Sequence, residues 1–169
     1  MVPLFLVVTV LAVVAFTVST QGSKSQNAIL DSTDPWTKYD PVFIRYGNLY
    51  KVDWKMLKAI ALNESDLGQN ALVKAGKVSS DGKSYGLMQL TLATAHDYRN
   101  VDENDLNDPE TSIDIAAQFI RHLASVFAGD TRKIVMSYNQ GEGNTKKGKT
   151  YAEGYYQKFL KNYDRVKNG

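Results

Sequence analysis

The sequence predicts a mainly helical domain preceded by an N-terminal transmembrane helix, and three observations lead to this prediction. Apolar residues recur at three- and four-residue spacing in the best-patterned segments, residues 54–64 and 113–127. Four aspartates stand where helix N-caps are expected, namely Asp40, Asp53, Asp108 and Asp130. No two segments alternate as a strand pair would. With 169 residues, of which 43% are apolar and 22% charged, and no cysteine, the chain can bury a core without disulfides.

The N-terminal segment is a candidate membrane anchor. Residues 2–18 carry no charge and span about 26 Å as a helix, just enough for a thin bilayer. A cleaved secretory signal peptide is the alternative, although no Lys or Arg precedes the apolar run and no good cleavage site follows it. We therefore predict an anchor or uncleaved signal over residues 1–20, a flexible linker over residues 21–38 and a folded domain over residues 39–169.

Two short helices are expected at the start of this domain. The first begins at the Asp40–Pro41 pair and ends near Gly47. The second begins after Asp53, where Val52 and Leu57 are placed to form a hydrophobic staple. The apolar stripe of this second helix comprises Trp54, Leu57, Ile60 and Ala61.

Local signals also delimit the rest of the domain. Residues 66–84 are rich in Gly, Ser, Asn and Asp and predict a loop. Helices are then expected over residues 91–98, from Asp108 to Gly129, from Asp130 to Asn139, and roughly over residues 151–165. The core face of the long helix comprises Ile113, Ala116, Ala117, Ile120, Leu123, Ala124 and Phe127.

Residues 143–150, GNTKKGKT, match the phosphate-binding loop pattern G-x-x-x-x-G-K-[ST]. Such a loop needs a strand before it and further parallel strands, yet only 19 residues follow. The preceding KIVMSY also fits better as the end of a capped helix. We interpret the match as coincidental and expect no nucleotide. A net charge of +2 gives no reason to expect nucleic acid, and two histidines on separate helices predict no metal site.

Glu64 continues the apolar stripe of the second helix, so its carboxyl is placed toward the core. A buried carboxylic acid is costly to ionise, and a protonated acid near neutral pH is what general acid catalysis requires. The alternative is a glutamate at a frayed helix end that turns to solvent.

Several amides and tyrosines suggest a saccharide site around this acid. Amide side chains suit hydroxyl and N-acetyl groups, and tyrosines offer flat apolar faces to sugar rings. The side chains concerned are Gln89, Asn139, Tyr85, Tyr138, Tyr155 and Tyr163, with Gly86 permitting close backbone approach.

Four segments together resemble the lytic transglycosylase (SLT) family, which is close to goose-type lysozymes. They are Glu64–Ser65, GLMQL at residues 86–90, SYNQG at residues 137–141 and YYQKFLKNY at residues 155–163. The resemblance covers residues 39–163. It implies a mainly α fold of the lysozyme-like α+β superfamily, a compact two-lobed domain with a central cleft.

The resemblance also implies an activity, cleavage of the MurNAc–GlcNAc β-1,4 bond of peptidoglycan to give 1,6-anhydro ends. Glu64 matches the single catalytic acid. The residues expected to bind substrate are Ser65, Tyr85, Gly86, Met88, Gln89, Tyr138, Asn139, Tyr155 and Tyr163, with Tyr163 facing the cleft. No metal or cofactor is implied. The expected partners are glycan strands and, through the N-terminal helix, a membrane. We expect a monomeric domain that faces the cell wall, or a secreted one if the N-terminal segment is cleaved.

Some positions depart from the family pattern. Val73 stands where the family has a substrate-contacting serine, and Ser79, Ser80 or Ser84 are candidates to replace it. Asp81 is a weak candidate for a second catalytic carboxylate. Two alternatives to a transglycosylase stay open, a goose-type muramidase that uses water and a non-catalytic peptidoglycan-binding module.

Overall fold

The computed structural model describes residues 33–76 and 82–169. Within these ranges the chain forms helices and one two-stranded antiparallel sheet, which confirms the predicted mainly helical fold. In chain order the elements are α1 (Asp40–Tyr50), α2 (Trp54–Ser65), α3 (Ala71–Lys74), β1 (Ser84–Tyr85), β2 (Leu90–Thr91), α4 (Leu92–His96), α5 (Glu103–Asn107), α6 (Pro109–Val126), α7 (Thr131–Gln140), α8 (Glu142–Lys146) and α9 (Glu153–Asn168). Among the described residues no helix has the length and apolar content needed to cross a membrane. The anchor predicted over residues 1–20 lies outside these residues.

Three of the predicted aspartate caps are confirmed. The carboxylates of Asp53, Asp108 and Asp130 accept hydrogen bonds from backbone N–H groups in the first turns of α2, α6 and α7, over 2.9, 2.8 and 3.0 Å. Each bond satisfies a donor that the helix itself leaves unpaired. Asp40 differs, because it is the first residue of α1 and makes no cap of its own.

The prediction that helix α1 ends near Gly47 is wrong. It continues to Tyr50 and ends where Lys51 adopts a left-handed conformation. A side chain at Gly47 would begin 2.8 Å from the Cβ atom of Trp54. The glycine therefore marks the close crossing of α1 and α2 instead of a helix terminus.

Residues 66–84 contain more structure than the predicted loop. Three successive residues, Asp66, Leu67 and Gly68, have positive φ angles of 53°, 53° and 78° and reverse the chain after α2. Helix α3 follows, and β1 then pairs with β2 in the register Ser84↔Thr91 and Tyr85↔Leu90. The pair is too short to give an alternating sequence pattern, which explains why it was not predicted.

The core forms where α9 lies against α2, with α6 and α1 packed beside them. Its largest fully buried side chains include Phe43, Leu57, Ile60, Ile113, Ile120, Leu123 and Phe159. Of the predicted α6 stripe, Ala124 and Phe127 are only partly buried and the others are buried.

The segment before α1 is folded onto this core. Two cationic groups lie over the Trp36 side chain. The Lys58 ammonium is 4.5 Å and the Arg165 guanidinium 4.9 Å from a ring centroid. Lys58 is buried and pairs with Asp40 over 2.7 Å. The linker predicted over residues 21–38 is therefore docked in its last residues, because cation–π contacts and the indole surface hold them.

Candidate active site

Glu64 is the penultimate residue of α2 and is partly buried. Residues on its inner side, Leu57, Ile60 and Ala61, are fully buried, so the predicted stripe does direct this part of the helix toward the core. The helix ends one residue later, because Asp66 takes up a left-handed conformation.

The phenol of Tyr155 donates a hydrogen bond to Oε1 of Glu64 over 2.5 Å. Tyr155 lies in the first turns of α9, which crosses the end of α2 at this point. Removal of its hydroxyl from water raises the pKa of Tyr155 well above its ordinary value, and the nearby charge of Glu64 raises it further. The tyrosine is therefore a neutral donor fixed on the acid.

A buried asparagine pair holds α9 in this position. The side chain of Asn63 donates to the Tyr155 carbonyl over 3.1 Å and accepts a bond from Asn162 over 2.7 Å. The ammonium group of Lys158 donates to the Asn63 carbonyl over 2.7 Å. Sequence reasoning missed these residues. The sequence did carry a signal, because each helix has an asparagine on its core face. Asn63 is next to Glu64 on α2, and Asn162 lies between the buried Phe159 and Val166 on α9.

Tyr138 approaches the same acid from α7. Its hydroxyl donates to the Met88 carbonyl over 2.8 Å, and its ring packs against Phe119 with centroids 5.4 Å apart. Burial raises the pKa of Tyr138 well above its ordinary value, and the charge of Glu64 contributes. Two partly buried tyrosines thus lie close enough to Glu64 for its charge to raise the pKa of their hydroxyls.

The turn at residues 86–89 joins β1 to β2 beside Tyr138. Gly86 has a φ of +71°, and a Cβ there would fall 1.8 Å from the Leu106 carbonyl oxygen, so only glycine fits. Gln89 also has a positive φ, and its Nε2 donates to the Gly86 carbonyl over 2.8 Å. The Gln89 amide is thereby folded back on its own turn.

Two predicted substrate contacts are buried. Ser65 is 1% exposed; its hydroxyl donates to the Leu87 carbonyl over 2.7 Å and accepts from the Gly68 N–H over 2.9 Å. Met88 is fully buried, and only its carbonyl reaches Tyr138. These contacts join the turn to the rest of the domain, and the binding of substrate by Ser65 and Met88 stays a prediction.

Tyr163 is not beside Glu64. It donates to Asp53, which caps the opposite end of α2 about 16 Å along the helix axis. Because α9 runs antiparallel to α2, Tyr155 meets the acid and Tyr163 meets the first turn. That Tyr163 faces the cleft stays a prediction.

Tyr85 and Asn139 flank two of the segments that form the site. Tyr85 is partly exposed and donates to Glu103 over 2.8 Å. Asn139 is exposed at the end of α7, directly after Tyr138. Val73 is partly exposed on α3, whereas Ser79, Ser80 and Asp81 lie outside the described residues.

The segment GNTKKGKT lacks the setting of a phosphate-binding loop. Helix α7 precedes it where a strand is required, and its first part is the short helix α8. Gln140, the last residue of α7, makes two hydrogen bonds to this segment and was missed by sequence reasoning. Its surroundings in sequence are polar, so nothing there distinguished it from a solvated amide.

Comparison with known proteins identifies relatives over this same region. The peptidoglycan transglycosylase gp16 of Escherichia phage T7 is 34% identical over 109 residues, covering 62% of this chain and 8% of its own length. The membrane-bound lytic murein transglycosylase F of Alteromonas mediterranea is 33% identical over 137 residues, covering 78% of this chain and 27% of its own. The membrane-bound lytic murein transglycosylase E of Buchnera aphidicola subsp. Acyrthosiphon pisum is 30% identical over 122 residues, covering 68% and 51%.

The chain therefore spans about half the length of these relatives or much less. The sequence profile described as "Transglycosylase SLT domain" matches residues 41–159, which include Glu64, the turn at residues 86–89, Tyr138 and Tyr155. The chain belongs to the transglycosylase SLT domain family.

Proposed function

We propose that this chain is a peptidoglycan lytic transglycosylase that cleaves the MurNAc–GlcNAc β-1,4 bond with Glu64 as its single catalytic acid. The observation that carries the proposal is the convergence of two partly buried tyrosines on one carboxyl, with Tyr155 bonded to Glu64 over 2.5 Å. The family membership and the names of all three relatives support the same activity.

The carboxyl of Glu64 lies at the C-terminal end of α2, beside Tyr138 and Tyr155. In the proposed reaction this carboxyl holds a proton at the start, as general acid catalysis requires.

The reaction then needs no second carboxylate. Glu64 gives its proton to the glycosidic oxygen as the bond from this oxygen to C1 breaks. The N-acetyl carbonyl of the substrate supports the positive charge that develops at C1. The Glu64 carboxylate next accepts the proton of the C6 hydroxyl, whose oxygen bonds to C1 and closes the 1,6-anhydro ring. Glu64 is protonated again, so the cycle balances.

Tyr155 has a defined part in this cycle. Its hydroxyl can donate to the carboxylate that forms when Glu64 loses its proton, and it fixes the orientation of the carboxyl in both steps. We assign sugar contacts to side chains bordering the site, namely Tyr85, Gln89, Tyr138 and Asn139. The polar and aromatic character of these groups supports a saccharide ligand.

We also propose that residues 1–20 anchor the domain to a membrane so that it faces the cell wall. The uncharged apolar run supports this placement. Two relatives are called membrane-bound. Alkaline extraction of membranes from cells expressing the full chain tests it, because an anchored chain stays with the lipid and a cleaved one is released.

Mass spectrometry of digested peptidoglycan tests the activity. The wild type is expected to release fragments with 1,6-anhydro ends, lighter by one water than hydrolysis products, and Glu64→Gln is expected to release none. Products that carry the additional water would establish a muramidase instead. Equal digestion by Glu64→Gln would remove Glu64 from the mechanism, and a folded wild type that binds peptidoglycan without cleaving it would be a binding module.

A further inference from the structure

Residues 141–151, here called the lysine loop, are held in shape by one side chain. Nε2 of Gln140 donates to the Thr145 hydroxyl over 3.0 Å and to the Lys149 carbonyl over 2.8 Å. Its Oε1 accepts from the Ala152 N–H over 2.8 Å. In addition, Asn144 donates to the Gln140 carbonyl over 2.6 Å. The loop is thus fixed at its beginning, middle and end.

The lysine loop is connected at both ends to residues that meet Glu64. Its first residue follows α7, which carries Tyr138 and Asn139. Its last residue precedes Ala152, the N-cap of α9, and Tyr155 lies three residues farther on. The loop therefore borders the candidate active site.

The loop exposes an aromatic ring and two cations that no carboxylate neutralises. Tyr151 is 72% exposed, more than any other large apolar side chain in the described residues, and the Lys149 ammonium lies 6.0 Å from its ring centroid. Across residues 33–76 and 82–169, no carboxylate lies within 4.0 Å of Lys147 or Lys149. By contrast, Lys146 pairs with Glu142 over 2.5 Å.

An ordinary solvated surface does not require such an arrangement. Exposing a tyrosine ring is unfavourable in water, and two like charges two residues apart repel each other. A backbone held by several hydrogen bonds also loses little conformational entropy when a ligand binds. These features together are those of a preformed site for a ligand with negative charge and a flat or apolar part.

We propose that the lysine loop binds the carboxylates of the peptide stems attached to the glycan strand, with Tyr151 packing against the stem or the sugar that bears it. This inference rests on the proposed function. The glycan backbone of alternating amino sugars offers no carboxylate once its stem is bonded to the lactyl group, whereas the peptide ends in one. Cleavage of the stem exposes a lactyl carboxylate, so the loop selects stem-bearing glycan over stem-free glycan whose lactyl carboxylates are blocked.

Binding is measured first by calorimetry on Glu64→Gln, so that the ligand is not consumed. The ligands are one glycan fragment with its peptide stems, the same fragment with stem carboxylates amidated, and the fragment freed of stems by an amidase and then amidated at the lactyl carboxylates that this cleavage exposes. We expect roughly three- to tenfold tighter binding of the first, as two exposed ion pairs provide, and a loss of this preference at high salt. The amidated fragment separates carboxylate recognition from contacts with the peptide backbone.

In the test variant, Lys147→Gln and Lys149→Gln are added to Glu64→Gln, which removes both cations of the loop. In the control variant, Lys161→Gln and Lys167→Gln on the far half of α9 give the same change in net charge. The first pair is expected to bind all three fragments alike, and the second to keep the preference. Gln140→Ala is expected to weaken the preference as well, because the loop loses its brace. Equal binding of stem-bearing and stem-free fragments by the parent protein would overturn the inference, as would an unchanged preference in Lys147→Gln/Lys149→Gln.

Cleavage by the otherwise wild-type chain is measured separately on the same fragments. Selective binding without cleavage would refute the proposed activity and leave the loop site standing. Cleavage with equal binding and equal rates on all fragments would refute the loop site alone. A uniform loss of cleavage on all fragments in Lys147→Gln/Lys149→Gln would also count against selection by the loop.

Discussion

Gly86→Ala is the substitution for which the structure gives the clearest magnitude. Alanine at a φ of +71° costs about 1–2 kcal/mol in backbone strain. Its Cβ would also lie 1.8 Å from the Leu106 carbonyl oxygen, and the backbone shift that relieves such an overlap costs about 1–3 kcal/mol more. The total of about 2–5 kcal/mol corresponds to a fall in Tm of roughly 6–15 °C for a domain of this size.

Gly129→Ala is the matched control. Gly129 has a similar φ of +79°, but nothing lies within 4 Å of the position its Cβ would take. The control is expected to lose only the strain contribution, about 1–2 kcal/mol or roughly 3–6 °C. Thermal unfolding followed by circular dichroism compares the two variants. Equal melting temperatures for Gly86→Ala and Gly129→Ala would refute the view that the turn is pressed against the end of α5.

Three further predictions concern the contacts around the acid. Tyr155→Phe is expected to lower the rate of peptidoglycan clearing about tenfold or more while the fold is retained, because Glu64 loses its donor; a wild-type rate would exclude this role. Asn63→Leu leaves Asn162 without a buried partner and should lower the free energy of unfolding by about 1–3 kcal/mol. The double variant Asn63→Leu/Asn162→Leu should lose less than the sum of the two single variants. Additive losses, measured by unfolding in urea, would contradict the pairing. The pKa of Tyr138 is raised above the ordinary tyrosine pKa of 10.0, so its neutral hydroxyl contributes to stability in full below pH 10. This contribution is lost as the pH rises above 10 toward the pKa of the folded state. Above pH 10, the free energy of unfolding of Tyr138→Phe should therefore fall less steeply with pH than that of the wild type. Parallel curves of this free energy against pH would argue against burial of the Tyr138 hydroxyl.

The features that sequence predicted well are those decided within a few residues. The caps at Asp53, Asp108 and Asp130 depend on a side chain reaching an N–H two or three residues away. The apolar stripes of α2 and α6 follow from helical periodicity, which needs no knowledge of the partner helix. The placement of Glu64 at the end of its stripe follows in the same way.

The features that sequence failed to predict depend on how distant segments meet. Tyr155 and Tyr163 both lie on α9 eight residues apart, and only the antiparallel crossing with α2 decides that Tyr155 reaches the acid. The sequence did not predict that the Met88 carbonyl accepts a hydrogen bond from Tyr138. Gln140 was overlooked because two of its partners are backbone groups, which carry no signature in the sequence.

The crossing of α9 over the end of α2 has a consequence for the newly made protein. Of the segments that converge on Glu64, the one carrying Tyr155 is the last to leave the ribosome. Until it docks, Asn63 lacks the hydrogen bond from Asn162 and Glu64 lacks the hydrogen bond from Tyr155. The surroundings of the acid are therefore completed only after residues 153–162 have been added to the growing chain.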